Sequence, residues 1–197
     1  MKTLLVNCYL RDAESRLVHY RQMIAPYSAV NTVEISQLLK PGFDLSGYQA
    51  VIFSGSQWMI SEQKPPEPLL EFIRGLKVLT LGICFGHQLI ARAFGARVGR
   101  GQLIDGEEKI TIVQPWQLFS RLGSEVVMRE SHQEFVTPES IATLGWEVGA
   151  RSGSCAVEAV RHPSRPIYGV QFHPERSGES GAKFFAGFYS LVSDGIA

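Results

Sequence analysis

A short apolar run that leads straight into a glycine-flanked cysteine constrains the fold more than any other feature of this sequence. The run at 78–81, Val-Leu-Thr-Leu, is the most apolar of the short runs and predicts a strand buried on both faces of a sheet. Gly82-Ile83-Cys84-Phe85-Gly86 follows, and a helical pattern from about residue 87 ends at Gly95. A strand, a tight turn and a helix in this order predict a parallel sheet covered by helices.

The rest of the chain repeats this rhythm and then becomes richer in strands. Apolar runs lie at 3–8, 29–35 and 50–53, and Leu17, Tyr20 and Ile24 recur at helical spacing before Pro26. A short helix through Leu70 and Ile73 precedes the fourth run. Later strands are predicted at 110–113, 126–128, 155–160 and 167–172, and a final amphipathic helix carries Phe184, Phe185, Phe188, Leu191 and Val192. The pattern predicts one α/β domain over residues 1–197, a three-layer sandwich with a central, mostly parallel sheet.

Composition narrows the choice of partners and of cellular compartment. Lys plus Arg and Asp plus Glu each number 19 in 197 residues, so the chain has no basic field for nucleic acid or anionic lipid. No apolar stretch approaches the roughly 20 residues that span a bilayer. Cys8, Cys84 and Cys155 are widely spaced, which predicts neither a disulfide framework nor a metal site. We expect a cytoplasmic protein whose partners are a small molecule or another protein, and neither nucleic acid nor a membrane.

The pentapeptide around Cys84 has the form of a nucleophile elbow, with cysteine at its centre. Glycines at 82 and 86 remove side chains that would collide with the neighbouring strand and helix. The turn places the sulfur at a helix N-terminus, where the helix dipole favours a thiolate. The backbone N–H of Phe85 can then donate to an oxyanion on the attacked carbon. Alternatively, Cys84 is a small buried hydrophobe and the glycines mark only a tight turn.

A second segment supplies a histidine and a carboxylate two residues apart. Tyr168-Gly169-Val170-Gln171-Phe172-His173-Pro174-Glu175 reads as a strand running into a loop, and Pro174 favours an extended conformation at His173. In an extended segment, side chains two apart point the same way. Glu175 can therefore orient the imidazole that accepts the thiol proton. The alternative is a solvated loop with a surface His and Glu.

Gly82-Ile83-Cys84-Phe85-Gly86-His87-Gln88, taken together with the segment 168–175, resembles the class I glutamine amidotransferases. The resemblance covers nearly the whole chain and implies their flavodoxin-like fold. It also implies a thioester-forming Cys84 in a triad with His173 and Glu175, a substrate contact at Gln88, and backbone contacts to glutamine at Gln133 and Glu134. The family's glycine-rich oxyanion loop is replaced here by Ser54-Gly55-Ser56-Gln57, so the resemblance gives the second oxyanion donor as Gly55 or Ser56.

Within that family, Ser131-His132-Gln133-Glu134-Phe135-Val136 resembles the Ser-His-x-Asp-x-Val segment of the glutaminase part of GMP synthetases, with Glu134 in place of Asp. This resemblance implies that L-glutamine is hydrolysed to glutamate and that the ammonia passes to a partner synthetase. Any ATP and magnesium would bind to that partner, and no cofactor is expected in this chain. His132 is the candidate for sensing the docked synthetase. A free-standing γ-glutamyl hydrolase and a non-catalytic regulatory relative are the alternatives.

Overall fold

The structure of the protein is a computed structural model that describes residues 1–193, so the last four residues of the predicted domain lie outside the described part. Its strands form one mixed sheet in the order β2-β1-β3-β4-β9-β8-β7-β5-β6. The strands are β1 (Lys2–Asn7), β2 (Ala29–Glu34), β3 (Ala50–Phe53), β4 (Leu79–Ile83), β5 (Val98–Ile112), β6 (Glu125–Val136), β7 (Glu147–Arg151), β8 (Ala159–Arg161) and β9 (Ile167–Val170).

Helices cover both faces of this sheet. They are α1 (Ala13–Ile24), α2 (Glu67–Gly75), α3 (Phe85–Ala93), α4 (Pro138–Thr143) and α5 (Gly178–Ser193). The buried residues of α1 and α5 share one apolar core with one face of the sheet, while those of α2 and α3 share a second core with the other face. The predicted three-layer α/β sandwich is confirmed. None of the helices within residues 1–193 has the length and apolar character that crossing a bilayer requires.

The sheet changes direction at β9. β2, β1, β3, β4 and β9 run parallel to their neighbours, whereas β8, β7, β5 and β6 continue the sheet in antiparallel fashion. Parallel strands place their carboxyl ends at one edge, and ligands of open α/β sheets bind beyond that edge. The loops after β3, β4 and β9 therefore meet at the same place.

The antiparallel part differs most from the sequence-based expectation. The runs predicted at 110–113 and 126–128 are ends of the 15-residue β5 and the 12-residue β6, which form a long hairpin. Much of β5 is exposed, so it lacks the apolar alternation that would reveal a strand. The strand predicted at 155–160 is reduced to a short β8, and β7 and α4 were not predicted.

Candidate active site

Cys84 occupies a strained turn between β4 and α3. Its backbone φ of 52° and ψ of −106° lie outside the regions that ordinary residues favour, which costs about 1–3 kcal/mol. The glycines on either side make the turn possible. A Cβ on Gly82 would lie 2.4 Å from the carbonyl of Gly86, and a Cβ on Gly86 would lie 2.3 Å from the Phe53 oxygen. The packing of β3, β4 and α3 therefore fixes the thiol at the first turn of the helix.

His173 and Glu175 form a buried pair close to this turn. His173 Nδ1 lies 2.6 Å from Glu175 Oε1, and both side chains are almost fully buried. The His173 N–H donates to the Arg129 carbonyl of β6 at 2.8 Å, which anchors the segment after β9. The expected extended path differs at one point, because Pro174–Arg176 form a 3₁₀ turn. The turn still brings the carboxylate back to the imidazole.

The electrostatics of the pair favour a charged imidazole. Burial alone would lower the pKa of His173, but the negative charges of Glu175 and of Cys84 in its thiolate form raise that pKa well above its ordinary value. In the resting geometry the Cys84 thiol points to the Ser131 carbonyl at 3.7 Å, and His173 Nε2 has no hydrogen-bond partner within residues 1–193. A thiolate and an imidazolium can therefore stabilise each other here.

The loop after β3 supplies the candidate oxyanion donors. The Gly55 N–H donates to the buried Tyr20 hydroxyl at 2.9 Å, so in this conformation it already has an acceptor. Ser56 is held through its side chain, whose Oγ donates to the Cys8 carbonyl at 2.6 Å. Phe85 is the first residue of α3, and its N–H has no acceptor within the helix. The structure thus leaves Phe85 and Ser56 better placed to donate than Gly55.

The residues expected to contact substrate are already bonded to one another. Gln88 Nε2 donates to the Glu134 carbonyl at 2.7 Å and to Gln171 Oε1 at 3.1 Å. The Glu134 carboxylate accepts from the Ile60 and Ser61 N–H groups at 2.7 and 2.8 Å. This carboxylate therefore fixes the loop beside the site, and the backbone carbonyl of the same residue fixes Gln88. Sequence reasoning did not predict this bridge, because residues 60 and 134 meet only in the folded chain.

His132 lies at the same cavity but turns inward. Its side chain is 3% exposed, Nδ1 lies 3.1 Å from the Glu134 carbonyl, and Nε2 lies 3.4 Å from Glu130 Oε2. Burial lowers the pKa of His132. Direct contact with a docked partner, as expected from the resemblance, would require this ring to become exposed.

A cavity of about 170 Å³ opens beside the thiol. Besides Cys84 it is lined by the expected residues Ser56, Phe85, Gln88, His132, Gln133 and Glu134. Three lining residues were not predicted, namely Trp58, Met59 and Leu103. Trp58 stacks on Phe85 with ring centroids 5.4 Å apart. An aromatic residue just after the 54–57 loop was the signal available for it.

A thiol at a strained strand-to-helix turn, beside a histidine paired with a carboxylate, defines a class of cysteine-dependent hydrolases with an α/β fold. The family model for glutamine amidotransferase class-I matches residues 7–190, and the chain belongs to that family. It is a glutamine amidotransferase.

Curated relatives and solved structures agree with this assignment. The glutamine-hydrolyzing subunit of GMP synthase from Thermococcus kodakarensis is 38% identical over 148 residues, which cover 74% of this chain and 77% of the relative. Its counterpart from Pyrococcus furiosus is 38% identical over 150 residues, with the same two shares. The glutaminase domain of CTPS from Trypanosoma brucei, solved with bound acivicin, has a TM-score of 0.74 at 18% identity, covering 98% of this chain and 94% of that domain. A glutamine amidotransferase from Thermotoga maritima has a TM-score of 0.70 at 18% identity, covering 100% and 86%. At these identities the structural likeness shows the fold.

Proposed function

We propose that this chain is the glutaminase component of a GMP synthetase and that it releases ammonia from L-glutamine for a partner synthetase. The relatives named as glutamine-hydrolyzing components of GMP synthase support the choice of acceptor pathway. The observation that carries the chemistry is the strained Cys84 beside the buried His173–Glu175 pair. ATP and magnesium belong to the partner in this proposal, and the complex works in the cytoplasm.

The proposed reaction begins at the thiol. His173 Nε2 takes the Cys84 proton, and the sulfur attacks the side-chain amide carbon of glutamine to form a tetrahedral intermediate. The proton passes from the imidazolium to the leaving nitrogen, the C–N bond breaks, and ammonia departs from a glutamyl thioester. Water, deprotonated by the same imidazole, then hydrolyses the thioester and releases glutamate. Glu175 stays ionised throughout and stabilises the imidazolium.

The size of the cavity favours a single amino acid as substrate. Pockets for drug-sized ligands are typically about 300 Å³ or larger, whereas the cavity beside Cys84 measures about 170 Å³. Glutamine has a short chain that can enter such a space. A γ-glutamyl hydrolase acting on bulkier amides would need more room, so the free-standing hydrolase is the weaker candidate.

Ammonia release with and without the synthetase tests the proposal. We expect weak glutamine hydrolysis by the chain alone and a rise of about tenfold or more when the cognate GMP-forming partner and its nucleotide substrate are added, because one missing oxyanion donor costs roughly 10² to 10³ in rate. Hydrolysis of γ-glutamyl peptides is the control and should stay low in both conditions. Full activity of the isolated chain, unchanged by the synthetase, would reject the role as one component of a two-part enzyme.

A further inference from the structure

Three buried side chains next to Cys84 carry polar atoms that have no hydrogen-bond partner within residues 1–193. Glu130 and His132 lie on β6, on either side of the Ser131 whose carbonyl faces the thiol. Glu158 lies just before β8. Glu130 and Glu158 are 0% exposed, and both oxygens of each, together with His132 Nε2, lack a partner. Buried polar groups in folded proteins are rarely left in this condition.

The imidazole of His132 presents a lone pair to this cluster. Its Nδ1 lies 3.1 Å from the Glu134 carbonyl, and a carbonyl can only accept, so the ring proton sits on Nδ1. Nε2 is then unprotonated and lies 3.4 Å from Glu130 Oε2. A lone pair facing a carboxylate oxygen is unfavourable unless a cation lies between them. A histidine that donates one N–H to a backbone carbonyl and aims the other nitrogen at a carboxylate is oriented as metal ligands are.

The charges of the two carboxylates also lack compensation. No Lys or Arg in the described part of the chain forms an ion pair with Glu130 or Glu158. Isolated buried carboxylates are costly, and proteins pair them, protonate them or place them on a metal. One ligand atom from each of Glu130, His132 and Glu158 lies within 4.8 Å of the other two. Ligands at about 2.1 Å from a tetrahedral ion stand roughly 3.4 Å apart, which matches the spacing of Nε2 and Oε2.

We propose that Glu130, His132 and Glu158 form a buried site for a divalent first-row transition metal, for which zinc is the natural probe. One imidazole and two carboxylates suit zinc better than calcium or magnesium, which favour oxygen ligands alone. Such an ion would join the β5–β6 hairpin to the strand beside β9 and supply the missing positive charge. Cysteine spacing could not reveal this site, because its ligands include no cysteine and Glu158 is distant in sequence. Metal binding here does not depend on which acceptor receives the ammonia.

Metal analysis of the folded full chain tests the site. The Cys84→Ala variant is used so that zinc cannot bind the active-site thiol. We expect it to purify with about one equivalent of metal, or, after treatment with a chelator, to take up one equivalent of zinc or cobalt with a rise in Tm. Cobalt should give the visible absorption bands of a low-coordinate ion with nitrogen and oxygen ligands.

Matched variants separate the site from adventitious binding. Glu158→Gln and, independently, Glu130→Gln should weaken cobalt binding by roughly tenfold or more and abolish the rise in Tm, since each removes a ligand charge. Glu107→Gln, at an exposed position of the same hairpin, should bind like the parent. If the folded parent neither contains nor takes up zinc or cobalt, the two carboxyls share a proton instead and the metal site is wrong. Equal binding by parent and both ligand variants would contradict it as well.

Discussion

At the scale of single residues, the backbone around Cys84 explains why a cysteine can react here when two others cannot. Cys8 and Cys155 are also buried, and burial raises the pKa of Cys8 to about 12 and that of Cys155 well above its usual value. Both therefore remain protonated thiols at neutral pH, and thiols are poor nucleophiles. Cys84 alone sits at a helix N-terminus beside a histidine whose pKa is raised.

Cys84→Ala should abolish glutamine hydrolysis without unfolding the protein, because the change removes the proposed nucleophile but little volume. Cys8→Ala and Cys155→Ala should keep most of the activity. A diazoketone analogue of glutamine should label Cys84 alone, as peptide mass analysis would show. Equal losses of activity in all three variants would contradict the assignment.

Glu175→Gln should lower the pKa of His173, because the carboxylate charge is a main cause of its elevation. A histidine whose native pKa is raised contributes stability that is fully present below about pH 6.5 and is lost as the pH rises through the native pKa. The variant should therefore lose less stability between neutral and alkaline pH than the parent. NMR titration of His173 and denaturation at several pH values measure both effects.

The same variant ranks the proposed roles of the pair. Glu175→Gln should retain more glutaminase activity than His173→Ala, since a carboxylate that only orients and stabilises the imidazole is partly replaceable, whereas the base is not. The reverse order would show that the roles are misassigned.

At the scale of elements, the contact between α3 and β3 depends on an absent side chain. A Cβ on Gly86 would lie 2.3 Å from the Phe53 carbonyl oxygen, and this neighbour is backbone that cannot rotate away. Gly86→Ala should therefore lower the free energy of unfolding by roughly 2 kcal/mol or more, as measured by chemical denaturation. Gly106→Ala is the matched control, because a Cβ there meets nothing within 4 Å. Equal effects at the two positions would mean that α3 can shift away from β3 without cost.

The elements that sequence reasoning placed well are those whose signal is local. The run at 50–53 is β3 as predicted, and β1, β2 and β4 differ from their predicted bounds by one or two residues. Gly95 ends α3 with a φ of +100°, the conformation expected of a helix-terminating glycine. The hairpin of β5 and β6 was largely missed because its exposed residues leave no period to detect.

The candidate site divides in the same way. Cys84 and the His173–Glu175 pair lie in short segments whose residue types state their chemistry, so sequence alone could nominate them. Tyr20 and Glu158 reach the site from distant parts of the chain and belong to no motif. Their places depend on tertiary packing, which a single sequence does not display.

At the scale of the whole molecule, the bond between Tyr20 and Gly55 links helix α1 to the candidate oxyanion loop. If the docked synthetase turns the Gly55 N–H toward the substrate, this bond must break first. Tyr20→Phe removes the acceptor and should raise the basal rate of ammonia release while reducing the stimulation by the partner to a few-fold or less. Tyr27→Phe, at a half-buried tyrosine whose ring stacks on Tyr189, is the control and should behave like the parent. Unchanged basal activity with full stimulation would show that Gly55 does not move.

The outer edge of β6 is closed by the active site instead of by another strand. The Arg129 carbonyl accepts from the His173 N–H, the Ser131 carbonyl faces the Cys84 thiol, and the Glu134 carbonyl accepts from Gln88. An open edge of 12 residues would offer these acceptors to the backbone of another chain, which is how sheets begin to aggregate. The groups proposed to carry out the chemistry thus also keep the molecule from self-association. Its resistance to aggregation and its reactivity depend on the same few contacts.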